Sequence, residues 1–516
     1  MVDIKSRAGI LLKGAAAMTV FSLVNKIIGV FLRLFLSSRI GSEGMGLYQL
    51  IMSVYTMFST FATAGFTVSV SRLVAEKDER SGADSKLLFR SSFIASSVIS
   101  LVATVVMLLC ADFIAIKFLF DARCALPLRI LALSMPFMAL AACLKGWFIA
   151  KQKAVVTASA SLFEQIVKIC VIALFLNIFM AETSDIGSLC SGIVLGVTFS
   201  EICSFVYLFL FRAIPGAKQK SLDRPTESAS DSMRSLIDVT LPISLSVYLT
   251  SILHTVETLL IPYVFESYSG DRARALSSFG MIRGMVVPIL FFPFAFLASL
   301  ISVFTPEISR LNLLSDRKPL NRRIASIMSF VSILSIAVGG MFFFLNKEIG
   351  DAFYPNENTA TAIKILATVT PFMYVETVSD GLLKAIGEQV QTLKFSVYNS
   401  VLRVLLILFM VSKTGENGYL WLLVISNSFT YMLCRRRLFK ATGVAPRLRT
   451  DVVLPLFCVV ISGVFSRFVL TKMALNGAIL SASVGTSVYV CVFAMLITLF
   501  AFERMKTLVS RLRGGI

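Results

Sequence analysis

The sequence predicts an all-α polytopic membrane protein. About fourteen transmembrane helices are expected, as two pseudo-symmetric six-helix lobes in a parallel repeat plus two extra C-terminal helices. Three observations lead there. Apolar runs long enough to cross a bilayer recur along all 516 residues. The loops between them alternate between basic and base-poor. One long segment recurs, without a gap, in the second half of the chain.

The runs come first. Hydrophobic residues make up 56% of the chain and charged residues only 15%, with 43 Phe. A hydrocarbon core of ~30 Å needs about 20 such residues in a helix. Runs of that class fall at 14–36, 45–71, 91–111, 126–150, 155–180, 187–211, 236–263, 280–305, 324–345, 362–386, 392–412, 417–434, 451–471 and 476–501. No polar stretch is long enough for a separate soluble domain. The first run follows Lys5, Arg7 and Lys13 and continues past Ala17 to Leu36. It is too long for the apolar part of a signal peptide, so it is expected to be retained.

The loops give orientation. Basic loops follow the second, sixth, eighth and twelfth runs: Arg72, Lys77, Arg80, Lys86 and Arg90; Arg212, Lys218, Lys220, Arg224 and Arg234; Arg310, Arg317, Lys318, Arg322 and Arg323; and Arg435, Arg436, Arg437, Lys440, Arg447 and Arg449. The loop after the fifth run carries Glu182 and Asp185 with no base, and the loop after the ninth sets Lys347 against Glu348, Asp351 and Glu357. Positive charge resists translocation, which puts both termini in the cytoplasm of a multi-pass membrane protein. The net charge of +19 would suggest nucleic acid in a soluble chain. With the bases confined to short loops, it points to topology and to anionic phospholipids, with no nucleic-acid partner. Nine Cys without a CxxC predict neither a disulfide framework nor a metal site. No GxxxxGK[ST] run is present to hydrolyse ATP.

The repeat organises the chain. "MPFMALAACLKGWFIAKQKAVVTASASLFEQIVKI" from Met135 aligns with "TPFMYVETVSDGLLKAIGEQVQTLKFSVYNSVLRV" from Thr370. Pro136, Gly146, Thr157, Ser161 and Lys168 fall on Pro371, Gly381, Thr392, Ser396 and Arg403, an offset of 371 − 136 = 235. Ser71-Arg72-Leu73 falls on Ser309-Arg310-Leu311 at nearly the same offset. Six runs per copy is an even number, so the copies share one orientation and a substrate site is expected between them. The lobes are read as 1–211 and 236–440, joined by a flexible cytoplasmic linker at 212–235. Residues 441–516 hold the extra helices and a basic tail.

A charge inside a run costs a few kcal/mol and normally faces a protein interior or a watery cavity. Asn25 and Lys26 lie near the centre of the first run. Arg33 lies two turns on, sharing the face of Lys26. Lys145 and Arg283 add bases. Such a basic lining suits an anionic substrate, phosphate or pyrophosphate above all. In the second half, His254 and Glu257 stand at i, i+3, and Glu376, Asp380 and Lys384 stand at steps of four. Intramembrane acids suit a coupling cation, Na+ or H+, so these five read as coupling or gating residues. Glu164 and Lys168 read as a local i, i+4 pair. Lys145, Lys384 and Arg283 lie near run ends, where long bases also snorkel to the headgroups.

"NKIIGVFLRLFLSSRIGSEGMGLYQL", followed by "AGFTVSVSRLVAE", resembles the multidrug/oligosaccharidyl-lipid/polysaccharide (MOP) exporter superfamily. It is most similar to the branch of stage V sporulation protein B-like polysaccharide and lipid flippases. "HTVETLLIP" and "SDGLLKAIGEQ" fit as well. The chain departs from that pattern with Lys26 where Arg is expected, and with His254 and Glu257 for Asn and Asp. The resemblance implies two six-helix lobes in a V around a central cavity, to which Gln49 is assigned. It implies alternating access that moves undecaprenyl-linked saccharides, peptidoglycan precursors in some members, to the outer leaflet. A monomer is expected, with no catalytic residues, no enzyme activity and no cofactor beyond a coupling ion. The acidic tenth run would then look across the cavity at a basic first lobe. Two other readings remain. A cation-coupled multidrug exporter of the same superfamily would need an apolar, acidic cavity. A membrane enzyme acting on lipid-linked sugars would need paired carboxylates with acid/base geometry, which are not apparent.

Overall fold

A computed structural model describes residues 2–63, 65–80, 82–179, 185–213, 228–314, 316–355, 357–445, 447–473 and 477–513. These residues are mostly helical, without a strand among them. The linker expected at 212–235 falls mostly at 214–227, outside the described residues. Among the described residues ten helices are long and apolar enough to cross a membrane, or eleven with one bent pair counted as a single span. The sequence expectation of about fourteen differs for two reasons. Stretches 20–78 and 389–442 each count once although a glycine breaks each, and helix Ala360–Ala385, with four charged residues, falls outside the ten.

The chain divides into two compact units at Gly280. The first contains α1 (Val2–Thr63), α2 (Phe66–Arg80), α3 (Gly82–Lys117), α4 (Ala125–Ala132), α5 (Met135–Ala150), α6 (Ala154–Phe179), α7 (Ile186–Ala213), α8 (Ala229–Ser269) and α9 (Arg272–Phe279). α1 is two helices across a break at Gly41, whose φ of 63° and ψ of −173° suit only glycine. Beyond the break α1 presses on α9. A Cβ on Gly46 would sit 2.1 Å from the carbonyl oxygen of Leu276, and one on Gly280 would sit 1.9 Å from that of Ser42. The glycines of "GSEGMG" thus serve a turn and a close helix crossing. α2, α3 and α5 enclose a core of Phe66, Val70, Val74, Leu88, Leu144 and Phe148, into which α8 inserts Leu236.

The second unit contains α10 (Val287–Phe291), α11 (Phe294–Asn312), α12 (Lys318–Phe344), α13 (Asn346–Phe353), α14 (Ala360–Ala385), α15 (Gln389–Leu406), α16 (Ser412–Thr442), α17 (Leu454–Met473) and α18 (Ala478–Arg513). α14 packs between α12 and α16. Its buried Tyr374 donates to the carbonyl of Leu290. The extra helices α17 and α18 pack on each other and on α12. There the Tyr489 hydroxyl donates to the Ala337 carbonyl at 2.9 Å.

The repeat is visible in the element bounds. α4 and α5 together run from Ala125 to Ala150, and α14 runs from Ala360 to Ala385, displaced by 235 at both ends (360 − 125, 385 − 150). α6 and α15 start 235 apart as well (389 − 154). Thr157 bonds the carbonyl of Ala154 as Thr392 bonds that of Gln389, and Ser161 bonds Thr157 as Ser396 bonds Thr392. One difference stands out: α4 and α5 meet at a 44° bend, whereas α14 is continuous through Pro371.

At the start of α7, Asp185 Oδ2 accepts from the Ser188 amide and hydroxyl, both at 2.8 Å. The backbone bond, chiefly, holds the carboxyl below its ordinary range. The cap therefore contributes stability above the unfolded-chain pKa and loses it as pH falls through the lower folded value. Asp185→Ala is expected to cost about 1 kcal/mol and Asp185→Asn much less at neutral pH. Thermal melts along a series from pH 7 downward test both, and the gap between each variant and the parent should narrow as the pH falls.

Candidate functional site

In the first unit, α1 brings Lys26, Gly29 and Arg33 to one face at i, i+3 and i+7. A Cβ on Gly29 would lie 3.7 Å from Gln165 Nε2 of α6, so this basic face runs along the 164–168 stretch of that helix. Lys26 is half-buried and Arg33 exposed. The side-chain oxygen of Asn25 is buried with no hydrogen-bond partner among the described residues. Gln49, half-buried, lies on the other side of the Gly41 break.

Glu164 is the centre of what α1 faces. Lys168 donates to Glu164 Oε1 at 3.3 Å, and Lys145 of α5 reaches Oε2 at 3.8 Å. Glu201 of α7 acts electrostatically on the same three groups. Tyr55 of α1, sharing a 2.9 Å hydrogen bond with Ser134, feels both acids. Two acids and two bases thus converge from three helices. The sequence identified Glu164–Lys168 as a local pair and Lys145 as a cavity base. It did not join them, because α5, α6 and α7 meet only through tertiary packing. The first lobe's interior is therefore more balanced than Lys26, Arg33 and Lys145 alone suggest. Lys145 and Lys168 are each held by Glu164, so an entering anion has to compete with that carboxylate for them.

On α8, His254 is exposed while Glu257 is only 2% exposed. The intervening Thr255 donates to the Ser53 carbonyl of α1 at 3.3 Å. The two residues that spacing pairs are thus in different surroundings.

In the second unit, Lys384 donates to Asp380 at 2.6 Å. Glu376 accepts weakly from Thr377 at 3.4 Å. It lies within the electrostatic reach of Asp380, Arg403 and Lys384. Arg403 Nε donates to Ser426 at 3.0 Å. Arg283 is half-buried in the π-helical turn Gly280–Val286. In repeat register, Lys145, Glu164 and Lys168 correspond to Asp380, Asn399 and Arg403. The side-chain oxygen of Asn399 is buried without a hydrogen-bond partner among the described residues. The same three positions therefore carry plus, minus, plus in one copy and minus, neutral, plus in the other.

Residues 11–312 match the model of the family described as "Polysaccharide biosynthesis protein". The chain is 24% identical over 385 residues to "Stage V sporulation protein B" of Bacillus subtilis (strain 168), covering 73% of each chain. It is 24% identical over 310 residues to "Sporulation protein YkvU" of the same organism, covering 59% of this chain and 66% of that one. Of solved structures, "Lipid II flippase MurJ, inward closed conformation" aligns at a TM-score of 0.69 and 13% identity, over 95% of this chain and 99% of its own. An inward-facing multidrug resistance MATE family transporter of the MOP superfamily aligns at a TM-score of 0.61 and 15% identity, over 85% of this chain and all of its own. At such identities the likeness is one of fold.

Proposed function

The chain belongs to the polysaccharide biosynthesis protein family, and from that premise we propose that this multi-pass membrane protein is a lipid-linked saccharide flippase. Its substrate would be anionic, of the undecaprenyl-pyrophosphate oligosaccharide or peptidoglycan-precursor type. It would move from the cytoplasmic to the outer leaflet by alternating access of two lobes. The observation that carries this is the cluster of Lys145, Glu164 and Lys168, in the same unit where α1 bears Lys26 and Arg33 on one face and comes to Gln165 of α6 through Gly29. Away from bulk water, a pyrophosphate gains far more from two cations than at an exposed surface, because the attraction scales inversely with the effective dielectric. Lys26 and Arg33, with no carboxylate partner among the described residues, meet the headgroup first. Lys145 and Lys168 are released to it only if Glu164 yields, which couples headgroup binding to repacking of α5 and α6. The lipid tail stays in the bilayer throughout.

Glu376 and Asp380, with His254 and Glu257, would bind or sense the Na+ or H+ that resets the cycle. The protein would act as a monomer without chemistry of its own, its termini in the cytoplasm. A leaflet-translocation assay in proteoliposomes, with a panel of undecaprenyl-linked sugars and with or without an ion gradient, tests the proposal. Lys26→Ala with Arg33→Ala is expected to lower the rate at least tenfold, about 1.4 kcal/mol or more of lost stabilisation, with little change in melting temperature. An unchanged rate would defeat the assignment.

A second reading, export of cationic drugs, is favoured by one observation: Glu164 and Glu201 put two acids in the first unit's interior. Drug-stimulated efflux indifferent to lipid-linked sugar would support it.

A further inference from the structure

Two adjoining cavities lie between α11 and α12. One, about 280 Å³, is walled by Leu297, Ile301, Phe304, Ile327 and Phe330. The other, about 550 Å³, lies at the start of α12 among Lys318, Arg322 and Arg323, with Glu307 and Asp316. Arg323 and Ser326 line both, so an apolar slot opens directly into a basic mouth. The acids at the mouth are engaged. Glu307 pairs with Arg323 at 3.0 Å, and Asp316 accepts from the Lys318 amide at 2.9 Å. Arg323 lies over the Phe304 ring at 4.8 Å, and its Nε is buried without a hydrogen-bond partner among the described residues. Lys318 and Arg322 are exposed. They lie at the start of α12, on the end that the charge alternation assigns to the cytoplasmic side.

The repeat supplies an internal comparison. In the first copy the corresponding corner, between α2 and α3, is filled by the chain itself. Leu236 of α8 joins Phe66, Val70, Val74 and Leu88, and Lys77 donates to Ser232 of α8 at 3.3 Å. Phe304 falls on Phe66 at the offset of 238 that relates Ser309 to Ser71. What α8 occupies in one copy is cavity in the other.

We propose that the α11–α12 groove binds an anionic glycerophospholipid. One acyl chain lies against Phe304 and Ile327, and the phosphodiester sits among Lys318, Arg322 and Arg323. Charge complementarity selects the headgroup, and the apolar slot requires a chain attached to it. None of its residues is among those given a role in substrate binding or ion coupling above.

Native mass spectrometry of the full chain, from micelles supplied with dioleoyl phosphatidylglycerol or dioleoyl phosphatidylcholine, reads the preference directly. Retention of phosphatidylglycerol is expected at least fivefold above phosphatidylcholine. Lys318→Ala with Arg322→Ala, which spares the Glu307–Arg323 pair, should abolish that preference. Ser326→Trp, which fills the wall shared by both cavities, should lower retention of the lipid itself. Glycerol phosphate without chains should not be retained. Equal retention of the two lipids overturns the proposal, as does a preference unchanged in both variants. Equal retention of glycerol phosphate would mark a bare anion site, and displacement by equimolar polyprenyl phosphate would mark a substrate site; either result also overturns it.

Discussion

Gly280→Val is expected to unfold the first unit's packing of α1 on α9. A Cβ at 280 would fall 1.9 Å from the Ser42 carbonyl oxygen and 2.4 Å from the Gly46 amide nitrogen. Both obstacles are backbone, so no side-chain rotation relieves them. Overpacking a core costs about 1–3 kcal/mol when side chains can shift, and here the helices themselves would have to separate. The chain should elute as aggregate by size exclusion in detergent. Gly41→Ala is the control. Nothing lies within 4 Å of its added Cβ, and only the positive-φ, extended-ψ backbone, a region all but reserved to glycine, resists, at roughly 1–3 kcal/mol. It should fold with a modestly lower melting temperature. If Gly280→Val melts within a few degrees of the parent, the close crossing of α1 and α9 is wrong.

Glu164→Gln is expected to produce the second large effect. It removes the carboxylate that Lys145 and Lys168 share, leaving two ammonium groups together in mostly apolar surroundings. Breaking a fully buried ion pair from one side costs about 3–5 kcal/mol, and these side chains, 15–27% exposed, should lose less. Some of that is relieved here because Glu201 remains nearby. Translocation should fall at least a hundredfold. Adding Lys168→Met should return part of the lost stability, since Lys145 and Glu201 then balance. Thermal melts of the two single variants and the double measure this coupling. Simple additivity would show that Glu164 does not hold the two lysines together.

Much of this architecture was legible because membrane spans and repeats are written in long patterns. The 235-residue offset found in Pro136, Thr157 and Ser161 reappears as displaced helix bounds and equivalent side-chain bonds. What escaped was whatever depends on a residue's surroundings. The steps of four from Glu376 to Lys384 located a real ion pair, Asp380 with Lys384, because that contact is local to one helix. The i, i+3 spacing of His254 and Glu257 suggested one shared environment, but the packing around α8 buries Glu257 and leaves His254 exposed. Lys145 looked like a free cavity base because its partner Glu164 belongs to the next helix. The glycines of "GSEGMG" were recognised by their pattern. Their physical reason, a break at Gly41 and a backbone contact at Gly46, depends on α9, more than 200 residues away.

The duplicated proline gives the molecule an internal control. Pro136 stands in the first turn of α5, just after the bend, where its missing N–H forfeits no helical hydrogen bond. Pro371 stands inside α14, where the carbonyl of Ala367 loses its usual donor. Gly339 of α12 is pressed into that notch, with a Cβ there only 2.9 Å from the Ala367 oxygen and 3.0 Å from the proline ring. Proline-to-alanine changes at the two sites are thus one chemical operation performed in two settings. The first reports what the residue does to a helix start, and the second adds what a neighbouring helix has been shaped to accept.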